Sequence, residues 1–229
     1  MKNFAASKPI VCAVILFLSG MGIPVLADEL GHGGAFLGLR ATGSVAEMEN
    51  TQFTGFASSI INNDEDLTAA ASAYIGYRFD DVPLRLEVEG GKRFRFDYDV
   101  RNVNAGIATG FENNVDTTYA LLNLGWEIRH FGEFVPYLGA SVGWARNNSE
   151  VERNAFAGGI TSTENAVDNL ALGAMVGVDW RFAESWGTGI GYRYINLGEV
   201  DTGPLAGGES FSTNDYVAHD VMLSIEFRY

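Results

Sequence analysis

The chain has 229 residues, of which 47% are hydrophobic, and its 15 basic and 29 acidic residues give a formal net charge of −14. This acidity argues against a nucleic-acid-binding protein, because phosphates require a basic footprint. No segment after the first 27 residues approaches 18 uninterrupted apolar residues, so the sequence predicts no membrane-spanning helix in that part.

Residues 1–27 have the pattern of a secretory signal peptide. Lys2 and Lys8 are followed by an almost continuously apolar run, which ends in Gly and Pro residues and a cleavage-site pattern. A buried N-terminal helix is the less favoured alternative. Cleavage would remove both lysines and the only cysteine, Cys12. We therefore expect a mature barrel domain, residues 28–229, with 13 basic and 29 acidic residues and a net charge of −16.

The mature part alternates apolar and polar residues with a period of two, which is typical of β-strands, and shows no convincing helical periodicity. The predicted strands are 35–47, 68–79, 84–97, 117–129, 135–146, 168–182, 187–197 and 217–229.

The connections between these strands alternate strictly in length. Those after the second, fourth and sixth strands are short turns. The others are long and polar and cover residues 48–67, 98–116, 147–167 and 198–216. Short turns on one side and long loops on the other, around an even number of strands, are typical of transmembrane barrels. The sequence therefore predicts an all-β protein, an eight-stranded antiparallel up-and-down transmembrane β-barrel.

Aromatic residues gather near both ends of the predicted strands, as in the girdles at the two membrane interfaces. The set near the short turns is Phe79, Trp126, Phe131, Phe134, Trp180, Phe182, Trp186, Phe227 and Tyr229. The set near the long loops is Phe96, Tyr98, Tyr119, Trp144, Tyr192, Tyr194 and Tyr216.

The third strand indicates which face meets lipid. One row is apolar, with Leu84, Leu86 and Val88, and the other is charged. An Arg or Lys on the lipid face costs about 2–4 kcal/mol at the bilayer midplane, so the charged row should face inward. Because unpaired buried ions are costly, we expect these charges to pair. The predicted interior network comprises Arg40, Arg78, Arg85, Glu87, Glu89, Arg93, Arg95, Glu127, Asp179, Arg181, Arg193, Glu226 and Arg228.

Lys92 is an exception, because it lies on the apolar row. Two interpretations are open: contact with lipopolysaccharide phosphates at the outer interface, or a β-bulge at Gly90-Gly91. Interior glycines are expected to make room for the long arginine side chains. A soluble lipocalin-like barrel, with its apolar face inside, is the alternative to the membrane barrel.

Three segments carry a resemblance to a known family: residues 136–145, residues 191–198 and the terminal Phe227-Arg228-Tyr229. They resemble the small outer-membrane β-barrels that include the opacity-type surface antigens and the OmpA-like transmembrane domain. The resemblance implies that Ile225, Phe227 and Tyr229 are recognised by the outer-membrane assembly machinery. The family usually ends in Phe, so Tyr229 is a departure.

No motif points to an enzyme, a cofactor or a metal site. A hydrolase of lipid A would need a serine, a histidine and a carboxylate together, and His219 has no serine two residues along. We therefore expect a structural and surface-antigen protein of the bacterial outer membrane. Its partners would be outer-membrane lipid and lipopolysaccharide, and a host or surface ligand of the four long loops. An adhesin is the alternative, and a narrow channel or a lipid A-modifying barrel is less favoured.

Overall fold

The structure, a computed structural model, describes residues 33–55, 59–63, 65–104, 107–155 and 159–229. These ranges contain strands, turns and bends, and no helix. None of the described residues therefore forms a helix that could cross a membrane. The strands are β1 (Gly34–Glu49), β2 (Gln52–Thr54), β3 (Ser59–Asn63), β4 (Glu65–Arg78), β5 (Leu84–Asn104), β6 (Ile107–Glu127), β7 (Phe134–Ala155), β8 (Gly159–Trp180), β9 (Trp186–Asn196), β10 (Val200–Asp201), β11 (Ser210–Thr213) and β12 (Asp215–Arg228).

Eight of these strands close into an antiparallel barrel. Around the wall the order is β1, β4, β5, β6, β7, β8, β9 and β12, and each is hydrogen-bonded to its neighbours. The first and last strands close the ring over a long register that runs from Phe36 opposite Arg228 to Glu49 opposite Asp215. Every barrel strand therefore has partners on both sides, which a sheet needs if it is to lie in lipid without unpaired backbone groups.

The two-residue period of the sequence decides which side chains face outward. In β1, Leu39 is 61% exposed while Arg40, its neighbour, is 4% exposed. The same contrast of outward aliphatic and inward polar residues appears in β5, where Val88 is 56% exposed and Glu89 is fully buried. The predicted polarity, with apolar residues outside and charged residues inside, is thus present in the half of the wall nearer the short turns. We call this half the lower part of the barrel.

Four strands extend further than the sequence predicts at the end with the long connections, which we call the external end. β5 and β6 pair up to Asn104 opposite Ile107, and β7 and β8 pair up to Ala155 opposite Gly159. Residues 98–116 and 147–167 are therefore mostly β-hairpin extensions, and the prediction of long loops there was wrong. The reason is that alternation continues inside these polar segments, where Val100, Phe111, Val115 and Val151 are buried.

The other two long connections also contain β-structure. β3 pairs with the upper part of β5, while β2, β11 and β10 form a separate three-stranded sheet. This small sheet brings Phe53 and Phe211 together, with ring centroids 6.0 Å apart. Leu205, in the turn between β10 and β11, is buried beneath it.

A β-bulge interrupts β5 between Arg93 and Phe96. Below the bulge, odd-numbered residues face inward; above it the alternation is reversed, so Phe96 is fully buried and the Arg95 side chain is 63% exposed. The prediction that Arg95 belongs to the interior network was therefore wrong. The extra residue turns Arg95 outward, which alternation alone could not indicate. The bulge suggested at Gly90-Gly91 was misplaced, because pairing is continuous there.

The aromatic girdle near the short turns is exposed as predicted, with Trp126 at 51% and Trp180 at 42%. The external girdle is smaller than predicted. Trp144 and Tyr194 face outward, but Phe96, Tyr119 and Tyr216 are buried inside the barrel. These rings belong to a buried apolar cluster, so they fill the lumen instead of facing lipid.

Candidate functional site

The lower half of the barrel interior holds a cluster of ion pairs around Arg78. The Arg78 guanidinium pairs with Glu226 and donates to Glu127 Oε1 at 2.6 Å and to Asp179 Oδ2 at 3.1 Å. Arg85 Nη1 reaches the same Asp179 oxygen at 2.5 Å. We call these five residues the lower ionic cluster. Their five strands surround the lumen, so the cluster spans it from wall to wall.

A second cluster lies above the first and centres on Glu89. Arg40 pairs with Glu89 and also reaches Glu87 Oε2 at 3.2 Å, while Arg193 Nη1 lies 3.2 Å from Glu89 Oε2. Asp220 accepts from Arg193 and from Arg93, at 3.0 and 2.8 Å. These residues are the upper ionic cluster: Arg40, Glu87, Glu89, Arg93, Arg193 and Asp220. The Arg85 Nε to Glu87 Oε1 distance of 3.2 Å joins the two clusters.

The charges of the interior balance. The two ionic clusters contain five arginines and six carboxylates, and Arg181, which is buried beside Glu127, brings the number of arginines to six. A neutral set of paired charges avoids the large cost of an uncompensated ion in a low-dielectric interior. The net negative charge of the protein is therefore carried by its water-exposed ends.

Two predicted arginines and one that was not predicted lie at the end with the short turns. Arg181 is buried, and its Nη2 lies 3.9 Å from Glu127 Oε2. Arg228 Nε lies 3.9 Å from Glu226 Oε1. Arg129 donates to Glu127 at 3.1 Å and also caps the backbone carbonyls of Phe79 and Asp80. These three arginines lie against the carboxylates at the lower end of the lower ionic cluster.

Aromatic rings complete the packing of the arginines. The Arg85 guanidinium carbon lies 3.7 Å from the Tyr137 ring centroid, and that of Arg40 lies 4.5 Å from Tyr74. Such cation–π contacts are strongest where the cation is desolvated. The interior glycines mainly make room for the tyrosines, since a Cβ on Gly177 or Gly191 would meet the Tyr137 hydroxyl. The prediction that they serve the arginines fits Gly125, which lies against Arg85.

Several interior residues were missed from the sequence. Asp220, which is not among the predicted interior residues, is fully buried. It lies on the same face of the strand as Met222, Ser224 and Glu226, so the two-residue period indicates that it faces the interior. Ser72 and Asn123, which each donate to Glu89 at 2.8 Å, carry no signal of their own in the sequence.

An apolar layer covers the upper ionic cluster on the external side. It contains buried side chains from the barrel wall, including Phe96, Phe111 and Tyr216, together with Phe211 of the small sheet and Leu205 of the turn between β10 and β11. Below, a cavity of about 10 Å³ beside Arg78 and Glu226 has room for about one water molecule. In the described residues, two successive layers of side chains therefore occupy the lumen.

The residues around His219 do not form a hydrolytic site. His219 faces the outer wall, where its Nδ1 lies 2.6 Å from the Tyr192 hydroxyl. Asp220 and Ser44, bonded to each other at 2.6 Å, face the interior. The histidine and the carboxylate are thus on opposite faces of the wall. Across the described ranges, no group of three or more His, Cys, Asp and Glu side chains is arranged to hold a metal ion.

The proposed assembly residues lie on the outer face of the closing strand. Ile225 is 46% exposed and Tyr229 is 78% exposed, while the Tyr229 backbone N–H donates to Ala35 at 3.1 Å. Their role in assembly stays a prediction. The predicted signal peptide, residues 1–27, lies outside the described residues.

One solved structure has a similar fold over most of the chain. A solved structure, the outer membrane protein OprG from Pseudomonas aeruginosa, is 13% identical, with a TM-score of 0.56, over 88% of this chain and 100% of that one. The Neisserial surface protein A (NspA) is 18% identical over 86% of this chain and 99% of that one, with a TM-score of 0.46. No curated protein sequence matches the chain.

A family model described as the outer membrane protein beta-barrel domain matches residues 13–227. The match covers almost the whole chain, and the closed eight-stranded barrel with an apolar outer wall is the structure that such a domain requires. The chain therefore belongs to the outer membrane protein β-barrel domain family.

Proposed function

We propose that this protein is a non-conducting structural and surface-antigen protein of the outer membrane, whose external β-hairpins are its recognition surface. It reaches the membrane after cleavage of a signal peptide at residues 1–27. The observation that carries the proposal is the filled lumen. An eight-stranded barrel is only wide enough for side chains, and here two ionic clusters and an apolar layer occupy it.

The external hairpins support the recognition part of the proposal. β5 to β8 have 21 or 22 residues each, whereas a tilted strand needs about 9–11 residues to cross the bilayer. The excess length rises above the membrane as a sheet. Because binding residues concentrate on segments held by a rigid scaffold, this sheet is where a ligand would bind.

The structural part is tested by cell fractionation and by electrophoresis with and without boiling. We expect the protein in the outer-membrane fraction, with heat-dependent mobility that reports a compact barrel. Planar-bilayer recordings of the refolded protein should show no conductance above background. Stable single-channel openings would contradict the proposal and favour the narrow-channel alternative.

The recognition part is tested by shortening one hairpin without altering the barrel. Glu150 pairs with Glu164, so replacing residues 151–163 with an Asn-Gly turn should close β7 onto β8 directly. Cells that display the shortened protein should lose binding to host matrix or host cells if the protein is an adhesin. Heat-dependent mobility of the variant is the control for an intact barrel. Unchanged binding would leave a structural role without an adhesin function in this hairpin.

A further inference from the structure

Exposed basic side chains are rare in this protein and are concentrated in one place. Among the described residues, four basic side chains are exposed: Lys92, Arg95, Arg101 and Arg146. The others are buried or half-buried, mostly in the ionic clusters. Lys92, Arg95 and Arg146 lie together on the outward face of β5 and β7, which are separated only by β6. We call these three residues the outer basic patch.

The register of the sheet places the patch in detail. Lys92 lies opposite Thr118, and Thr118 lies opposite Arg146 on its other side. Lys92 and Arg146 are therefore in one cross-strand row two strands apart, which corresponds to about 10 Å between backbones. Arg95 stands three residues above Lys92 on the same strand. It faces outward only because of the bulge in β5, and bulges commonly redirect a side chain in this way.

Aromatic residues place the patch at the external surface of the membrane. Trp144 is 42% exposed two residues below Arg146, and Phe94 is 51% exposed between Lys92 and Arg95. Outward Trp and Phe side chains mark the boundary between hydrocarbon and headgroups. Below them the wall is aliphatic, with Val88 and Val142 exposed to lipid. The three cations are thus at the depth of lipid headgroups.

Each cation has a carboxylate partner, but these pairs are weak. Lys92 Nζ is 3.0 Å from Asp116, while Arg95 and Arg146 lie 3.6 Å from Glu150 and Asp168 respectively. The side chains of the three cations are 48–63% exposed, and exposed pairs of this kind contribute little stability. A phosphate, which forms strong charge-assisted bonds with Arg and Lys, can therefore replace the carboxylate.

An open groove gives a phosphate access to the patch. It has a volume of about 660 Å³, and its lining includes Arg95 and Arg146 together with the carboxylates of Asp116, Glu150 and Glu164. Asn148 also lines the groove, where its side-chain amide donates to Asp116 at 3.2 Å.

We propose that Lys92, Arg95 and Arg146 bind the phosphate groups on the sugar headgroup of the outer-leaflet glycolipid, lipopolysaccharide. The proposal rests on the outer-membrane placement given above. The spacing of Lys92 and Arg146 suits a headgroup with phosphates at both ends. The bulge then has a function, since it supplies Arg95 to the lipid side of the wall. Asp116, Glu150 and Asp168 act as competing ligands that the phosphates displace.

The test measures lipid binding by native mass spectrometry of the refolded protein in detergent, with a chelator present. The probes are bisphosphorylated lipid A, enzymatically dephosphorylated lipid A, and inorganic phosphate. We expect Lys92→Gln, Arg95→Gln and Arg146→Gln each to weaken lipid A binding roughly fivefold, since a basic residue near an anionic membrane surface contributes about that factor. Arg101→Gln removes the same charge outside the patch and should have no effect.

The carboxylates that pair with the outer basic patch provide a second test, in which lipid A binding should become stronger. Neutralising them with Asp116→Asn, Glu150→Gln and Asp168→Asn should strengthen lipid A binding several-fold, a gain that a purely structural role would not produce. The proposal is wrong if the triple Gln variant binds lipid A as the wild type does, or if dephosphorylated lipid A binds equally well. Competition by inorganic phosphate at the concentration of lipid A would also contradict a lipid site.

Two measurements separate this proposal from the function on which it rests. Heat-dependent mobility shows whether each variant is folded. Fractionation shows whether it reaches the outer membrane. A wild-type protein that is absent from the outer membrane would contradict the proposed function itself. Correct placement together with unchanged lipid A binding in the triple Gln variant would contradict only the phosphate site.

Discussion

Arg193 and Glu89 form an ion pair, with 3.2 Å between Nη1 and Oε2, although they belong to opposite walls of the barrel. Arg193 is on β9 and Glu89 is on β5, which are four strands apart in either direction around the ring. Arg78 on β4 and Asp179 on β8 are related in the same way, at 3.1 Å. Ion pairs between opposite walls cross the centre of the lumen. They therefore stabilise the barrel and also block its lumen.

Glu89→Gln should strongly destabilise the barrel. The substitution keeps the size of the side chain but leaves Arg40 and Arg193 short of a buried partner, a change that typically costs about 3–5 kcal/mol. The free energy of unfolding in lipid bilayers, measured by denaturant titration, checks the prediction. Glu150→Gln is the matched control, because its partner Arg95 is exposed, and it should change stability by less than about 0.5 kcal/mol. Equal effects of the two substitutions would contradict the structural importance of the interior pairs.

The two layers in the lumen should block ions independently. Replacing residues 199–213 with a short Gly-Ser linker removes the loop side chains of the apolar layer, and we expect no conductance because the ionic clusters still span the lumen. Adding Glu89→Ala, Arg193→Ala, Arg78→Ala and Asp179→Ala to that variant removes the ion pairs that cross the lumen in both clusters, and it should produce measurable openings in planar bilayers. Conductance after the loop replacement alone would show that the ionic clusters do not seal the barrel.

Adjacent glycines in β5 should differ sharply in their tolerance of a methyl group. On Gly91, which faces inward, a Cβ would lie 2.6 Å from the Tyr119 ring and 2.7 Å from Ser72 Cβ. Gly91→Ala should therefore destabilise the barrel by about 1–3 kcal/mol through overpacking. On Gly90, which faces outward, a Cβ meets nothing within 4 Å, so Gly90→Ala should be nearly neutral. Thermal unfolding of both variants is the measurement, and a neutral Gly91→Ala would contradict the packing described for Tyr119.

Tyr229→Ala should separate folding from assembly in cells. The side chain is 78% exposed, and the strand-closing hydrogen bond to Ala35 uses the backbone of Tyr229. We therefore expect the variant to refold normally in detergent but to reach the outer membrane more slowly than the wild type. Tyr229→Phe should assemble at the wild-type rate. Normal assembly of Tyr229→Ala would remove the terminal aromatic from the proposed recognition signal.

Alternation within single strands predicted the barrel and its polarity only together with the terminal aromatic residue, the aromatic girdles and the alternating lengths of the connections. In pairs such as Leu39-Arg40 and Val88-Glu89, only one orientation of the strand puts the apolar side chain against lipid and the charged one in the interior. The opposite orientation is excluded because a charge on the lipid face is costly. The alternating lengths of the connections predicted the up-and-down order of the strands. These are local properties, so the sequence by itself determined them.

The tertiary structure decided what depends on distant partners. The bulge that turns Arg95 outward is a local slip of β5 against β6, and no residue type announces it. The burial of Phe96, Tyr119 and Tyr216 depends on which walls face one another, and so does the pairing of Arg193 with Glu89 across the lumen. Closure brings together residues more than 100 positions apart in the chain, as in that pair. Periodicity reports only the face on which a residue lies, and the partner it meets there is set by the curvature and register of the closed sheet.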